Sequence, residues 1–171
     1  MRVVIAGGHG KIALLLERLL AERGDQAVGL IRNPAHVADV QKAGAEAVVC
    51  DLEAASVDDV AAALSGAGAV VFAAGAGPGS GVPRKDSVDR GASVLMADAA
   101  ERAGVRRFVQ VSSMGTGQPP RPGTDEVWAA YITAKTAAED DLRARDLDWT
   151  IVRPGGLTDV PATGSASSTT A

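Results

Sequence analysis

The chain has one tyrosine, Tyr131, and four residues after it stands Lys135, in the segment YITAK. On a helix that spacing puts the phenol and the ammonium on one face about a turn apart. A neighbouring cation favours phenolate and lowers a pKa that is about 10 in a free tyrosine, giving a proton donor or acceptor usable near neutrality. The same spacing occurs on many solvated helix faces, so its chemical meaning depends on the segments around it. The first of these lies near the N-terminus, where VVIAGGHGKIA runs from Val3 to Ala13 and sets Gly7, Gly10 and Ala13 in a G-x-x-G-x-x-[GA] pattern. An apolar run that stops in glycines and restarts as a helix presents bare N–H groups to an anion, as in a turn that carries a dinucleotide pyrophosphate.

Each small residue of this loop has a separate task. Gly7 lets the chain leave the strand in a tight turn, Gly10 keeps the backbone bare for phosphate oxygens, and Ala13 lets the helix lie close to the sheet. Gly7, Gly8, His9, Gly10, Lys11 and Ile12 are therefore expected around the pyrophosphate. His9 is read as the variable position of the loop, with a phosphate contact as the alternative. A nucleotide-triphosphate loop is excluded, because G-x-x-x-x-G-K-[ST] would need Gly and Ser or Thr where the chain has Ile5 and Ile12. Lys11 is then a cation on the rim.

The elements that must position these groups alternate strand and helix. Ile12 to Arg23 is expected to be an amphipathic helix, with Ile12, Leu15, Leu16, Leu19 and Leu20 apolar and Glu17, Arg18, Glu22 and Arg23 facing water, stopped by Gly24. With the strand Ala27 to Ile31 it completes one right-handed βαβ unit. Arg32 follows that strand where a dinucleotide fold reads the adenosine ribose; an acid there would hold a 2′-hydroxyl, whereas an arginine suits a 2′-phosphate, so NADP is expected over NAD. The other reading of Arg32 is a solvated loop cation. Asn33 and Pro34 look like the cap and first residue of a helix ending near Gly44. Ala47 to Cys50 reads as the third strand, with Asp51 placed to accept from the adenine amino group and Leu52 to pack on the ring. Cys50 is expected to be a buried apolar residue, not an activated thiol. Ser56 caps the next helix, with Asp58 and Asp59 in its first turn.

Ala69 to Ala74 is the fourth strand. It opens into a second glycine-rich loop, Gly75 to Gly81, in which Ala74, Gly75 and Ala76 would approach the middle of the cofactor; a mobile linker is the equal alternative. Arg84 to Ala103 reads as one long helix with a core stripe of Val88, Ala92, Leu95, Met96 and Ala99. Arg107 to Val111 is strand five and ends in Ser112 and Ser113. Val127 to Asp141 is the helix of Tyr131 and Lys135, anchored by Ala138 and Leu142. Trp149 to Arg153 is strand six, and Pro154-Gly155-Gly156 leaves it at the carboxyl edge, against the cofactor. Residues 1–164 are expected to form one dinucleotide-binding domain, and residues 165–171, small and polar, a disordered tail.

Composition agrees with a small-molecule partner. At 171 residues and 46% hydrophobic the chain can bury one core. A net charge of −4 with 3% aromatics argues against a nucleic-acid surface. One cysteine and no charged-then-apolar leader point to the cytoplasm. No apolar run approaches the roughly 20 residues of a membrane span. His9 and His36 lack companion ligands in the sequence, so no metal is expected. The oligomeric state is left open.

Taken in order, GGHGKIA, Arg32-Asn33-Pro34, Asp51-Leu52, VSSMG, YITAK and LDWTIVRPGGLTD resemble the atypical short-chain dehydrogenase/reductase family, in its small NAD(P)H-binding branch. That branch holds NADH-flavin and biliverdin-type reductases and NmrA-like cofactor sensors. The resemblance implies an α/β doubly wound parallel sheet (Rossmann) in the order 3-2-1-4-5-6, with NADP across the switch point. It implies Tyr131 as catalytic acid, Lys135 on the nicotinamide ribose, and Ser112 or Ser113 polarising a substrate carbonyl, with Ser112 also near the cofactor. Members of the family usually continue with a further strand and helix on the substrate side, so a truncated form, or an open or borrowed substrate site, is expected. Three functions follow: an NADP-dependent oxidoreductase passing hydride to a small carbonyl, flavin or similar acceptor; a non-catalytic NADP(H) redox sensor; and a nucleotide-sugar epimerase-like enzyme.

Overall fold

In the computed structural model, residues 1–160 are described, apart from 78 and 121. The expected tail 165–171 and residues 161–164 of the expected domain lie outside the described residues. Six parallel strands form one sheet, β1 (Arg2–Ala6), β2 (Gln26–Ile31), β3 (Glu46–Val49), β4 (Ala69–Phe72), β5 (Arg107–Val111) and β6 (Asp148–Val152). Their order is β3-β2-β1-β4-β5-β6, the doubly wound order that the family resemblance implied. The strand direction of travel across the sheet reverses between β1 and β4, and there the loops after both strands open a crevice.

Helices cover both faces, so the central strands are apolar on both sides instead of alternating. Val3 and Ile5 of β1 join Ala13, Leu20 and Val40 in one core, while Val4 and Ala6 join Phe72, Met96, Phe108 and Leu142 in the other. The first face carries α1 (Lys11–Glu22) and α2 (Val37–Lys42); the second carries α3 (Val57–Ala63), α5 (Ser93–Arg102) and α6 (Glu126–Arg143). A 3₁₀ turn, Pro34–His36, leads into α2, and the Asn33 side chain caps it by accepting from the Ala35 N–H. Ser56 and Asp59 form a reciprocal capping box on α3. No described helix is long and apolar enough to cross a membrane.

Two expectations fail here. Glu17, expected to face water, is completely buried, while Leu15 and Leu19 stand 58% and 57% exposed. The buried stripe of α1 is Ala13, Glu17 and Leu20, a helical spacing narrower than the run of leucines suggested. The helix can press this stripe against β2 because Gly8 and Gly29 have no side chains there; a Cβ on Gly29 would stand 2.6 Å from Glu17 Oε1.

The expected long helix from Arg84 to Ala103 is three segments. A single turn, α4 (Val82–Arg84), is followed by a π-helix, Lys85–Ala92, and then by α5. The wider π turn brings Lys85, Val88, Asp89 and Ala92 inward together, two of them charged.

Candidate active site

The first glycine loop has the backbone its spacing demands. Gly7 has φ +79°, and a Cβ there would lie 2.7 Å from the Cα of Ala74. Gly10 is the N-cap of α1, and no side chain caps this helix or places an acid in its first turn. The leading N–H groups of α1 therefore face the crevice without a protein anion, an arrangement that attracts phosphate. Gly8 differs from expectation. Its N–H donates to Leu30 O (2.9 Å) and a Cβ on it would meet Gly29 Cα at 2.5 Å, so it packs the loop on β2 and does not line the crevice.

The crevice is a groove of about 840 Å³ that runs from Arg32 and Asn33 past the glycine loop to Ala74, Gly75 and Ala76, with Asp51 and Leu52 on its far wall. It continues through Ile12 and Ala73–Gly77 into a second cavity of about 550 Å³, lined by Ser112, Ser113, Tyr131, Lys135, Pro154 and Gly155. The glycine loop and the Tyr131 helix, more than a hundred residues apart, thus meet at one edge of the sheet. Gly156 lines neither cavity.

At the adenosine end, Arg32 donates to Glu53 Oε2 (2.9 Å). Arg84, from α4, reaches the same oxygen at 2.6 Å, and Ser87 Oγ donates to Oε1 at 2.7 Å. The hydroxyl bond and the two guanidiniums hold the Glu53 carboxyl below its ordinary range against a modest burial penalty. Asp51 accepts from the Glu53 N–H (3.1 Å), which fixes the turn that presents Glu53. His9 stacks on His36 at 3.6 Å and lies 2.8 Å from Asp39. Among the described residues no group of His, Cys, Asp and Glu has a metal-holding arrangement. Lys11 pairs with Asp159 at 2.8 Å, both side chains open to water. Cys50 is half-buried, and burial together with Asp59 and Asp51 pushes its thiol up, away from reactivity.

The second cavity is more densely wired. Lys135 is almost wholly buried, 3.4 Å from Asp89, and donates to Val111 O (3.2 Å) and Ala74 O (3.5 Å). Burial lowers its pKa and Asp89 opposes that shift. Asp89 also accepts from the Ala76 N–H (3.2 Å), tying the start of the second glycine loop to the π-helix, and Gly75, Ala76 and Gly77 line the groove. The Tyr131 ring centroid is 5.9 Å from Lys135 Nζ. The expected fall in the phenol pKa is not found. Burial raises it, a hydrogen bond with Ser113 works the other way, and Asp89 adds to the rise. Burial outweighs the hydrogen bond, which keeps the phenol in its donor form at neutral pH.

The two serines have different positions. Ser112 is buried and donates to Glu139 Oε1 at 2.5 Å, whereas Ser113 lies beside Tyr131 in the cavity. Glu139 is itself wholly buried, and it also accepts from Thr116 (2.8 Å), Arg143 (2.9 Å) and Arg153. Burial alone would raise its pKa, but these donors together bring it down to about 2. Sequence reasoning missed Glu139, although it continues the Tyr131, Lys135 stripe one turn further along α6. Lys85 and Asp89 were missed because their segment was read as part of an apolar stripe, and Glu53 and Arg84 because they converge only through folding.

The residues present fit a dinucleotide: an uncapped helix N-terminus, a glycine that leaves the backbone bare, and a groove long enough to span both cavities. This is an NAD(P)-binding Rossmann protein of the atypical short-chain dehydrogenase/reductase type. The chain belongs to the NAD(P)H-binding family, whose model matches residues 7–170. Among its relatives is "Uncharacterized sugar epimerase YhfK" of Bacillus subtilis, 35% identical over 98% of this chain and 77% of that protein. A solved structure from Bacillus halodurans, named as a candidate NAD-dependent epimerase/dehydratase, superposes with TM-score 0.87 at 36% identity, over 96% of this chain and 74% of that one. ChuY, an anaerobillin reductase from Escherichia coli O157:H7, superposes with TM-score 0.74 at 28% identity, over 96% of this chain and 77% of that one.

Proposed function

We propose that this protein is an NADPH-dependent oxidoreductase in which Tyr131 is the proton donor to a carbonyl, flavin or similar acceptor. The observation that carries the reading is the place of Tyr131, with Ser113 and Lys135, in a cavity continuous with the dinucleotide groove. When bound, the cofactor supplies a hydride. With a carbonyl acceptor the carbon takes that hydride and its electron pair, Tyr131 Oη gives its proton to the oxygen, and the product is the alcohol; solvent returns the proton to the phenol. Ser113 orients the acceptor oxygen, and Lys135, fixed by Asp89, positions the ribose end of the cofactor.

NADPH is favoured over NADH because Arg32 and Arg84 both point at one carboxylate, leaving one positive charge in excess for a 2′-phosphate. Titrating both cofactors against the fluorescence of Trp128 and Trp149 tests this. NADPH should bind tighter, and Arg32→Ala should weaken it about tenfold while leaving NADH unchanged; equal affinities in the wild type would remove the preference. Tyr131→Phe should cut NADPH oxidation with quinone, flavin or aldehyde acceptors by about 10³-fold without changing cofactor binding.

A second reading, transient oxidation and re-reduction of a sugar, is favoured by the epimerase names of two relatives. It predicts product inversion with no net NADPH consumption. Cofactor binding with neither outcome would support the redox-sensor reading.

A further inference from the structure

The acceptor cavity holds a cation that the reaction above does not use. Lys85, on the first turn of the π-helix, is 9% exposed, and its Nζ lies 5.5 Å from the centroid of the Tyr131 ring. Among the described residues its one hydrogen bond is to a backbone carbonyl, Gly77 O, at 3.1 Å. The other charged groups of this cavity are committed: Lys135 and Asp89 to each other, and Asp125 to the Trp128 N–H at 2.9 Å, as the N-cap of α6. Asp125 also sits at the positive end of that helix, which offsets its charge. Lys85 is therefore the one cation of the cavity without a carboxylate partner among the described residues. Removing an ammonium this far from water costs free energy that a single carbonyl does not return, so an anion delivered by a ligand is strongly favoured.

The mouth of the same cavity is apolar. Trp128 is 51% exposed, with its rings 5.2 Å from the Tyr131 ring and tilted by 36°. Leu157 and Val127, also exposed, line the same cavity, so the three apolar side chains stand together at its mouth. A buried cation behind an aromatic shelf recognises a molecule with an acidic group at one end and a flat apolar body at the other.

We infer that the acceptor of this protein is a ring-bearing carboxylic acid, its carboxylate on Lys85 and its ring against Trp128, which brings its reducible group to Tyr131 and Ser113. This rests on the oxidoreductase reading for the identity of the cavity, but its test is one of binding. Lys85 touches the ligand and selects it, and the neighbouring Tyr131 acts on it.

The test is calorimetric titration of 2-naphthoate and its neutral counterpart 2-naphthamide into the protein saturated with NADP⁺. The wild type should bind naphthoate at least about tenfold tighter than the amide, the size of one charge-assisted contact in a desolvated site. Lys85→Met should erase that preference and Lys85→Arg should keep it; Trp128→Ala should weaken both ligands alike. NADP⁺ affinity of each variant, measured alongside, reports whether the fold is intact. Equal binding of acid and amide by the wild type, no binding of either, or an unchanged preference in Lys85→Met would overturn the inference and leave the cofactor assignment standing. Failure of the wild type to bind NADP⁺ would overturn that assignment instead. The two ligands are then titrated without cofactor and judged by the same criterion.

Discussion

Glu17 and Glu139 are both fully withdrawn from water, one in α1 behind the glycine loop and the other in α6 behind the acceptor cavity, yet their acidities lie far apart. Glu17 has no hydrogen-bond partner on either oxygen, and burial pushes its pKa up to about 7. Glu139 is surrounded by two hydroxyls and two guanidiniums, and its pKa is held down to about 2. Equal burial therefore has opposite electrostatic results, decided by the supply of donors. The difference extends to the regions the two residues serve. The stretch of groove over the glycine loop is made of backbone and glycine, and the buried acid behind it is unpaired and neutral only below about pH 7. The acceptor half is made of interlocked charges, and its acid is a structural ion.

Three substitutions put pressure on this contrast. Glu139→Gln should be the most damaging, destabilising the protein by about 3 kcal/mol at neutral pH in chemical denaturation, because it removes the charge on which four side chains converge. In the wild type this contribution is fully present above the ordinary glutamate value of 4.5 and lost as pH falls towards about 2. The variant should therefore show a shallower acid limb, and an unchanged one would mean the network is not what ionises. Gly10→Val comes next. Its Cβ would stand 3.1 Å from Gly7 O, so the loop must give by a few tenths of an ångström; NADPH binding should fall by about a hundredfold, with a smaller loss of stability than in Glu139→Gln. Glu17→Gln should have the smallest effect and the opposite sign. Wild-type stability is full below 4.5 and declines as pH rises to about 7, where the buried carboxyl ionises. The amide should remove that decline, a gain of up to about 2 kcal/mol at pH 8. A melting temperature for Glu17→Gln that tracks the wild type from pH 5 to pH 8 would erase the distinction between the two acids.

The same contrast explains what could be read from the amino-acid order. The adenosine half is assembled from continuous segments, each a strand with the loop that follows it, so Gly7, Gly10, Arg32 and Asp51 could be placed before any coordinates. The six strands were legible for the same reason, since parallel βα units repeat a period that apolar residues reveal. Glu17 was misplaced because a charged residue on an amphipathic helix is by default assigned to water, and the niche that admits it exists only once Gly8 and Gly29 face each other. What escaped are the side chains that pair across the chain, Lys135 with Asp89 and Glu139 with Arg153 in the acceptor half, and Arg84 with Glu53 at the adenosine end. No local pattern encodes such partners. The sign of the Tyr131 shift was missed for a related reason: the lysine one turn away was visible, whereas the burial that raises the phenol, and the aspartate that adds to it, exist only in the fold.

The wide-turn segment from Lys85 to Ala92 has a consequence for how this family can change. A π turn holds about one residue more than an α turn, so excising a single residue there would let the chain rewind as ordinary helix. Each α-helical residue contributes roughly 100° of rotation, so the flanks would keep their facing, Met96 and Ala99 in the core and Lys85 towards the cavity, while Asp89, inside the wide turn, would rotate. One codon lost would shift the counter-charge beside Lys135 while sparing the scaffold.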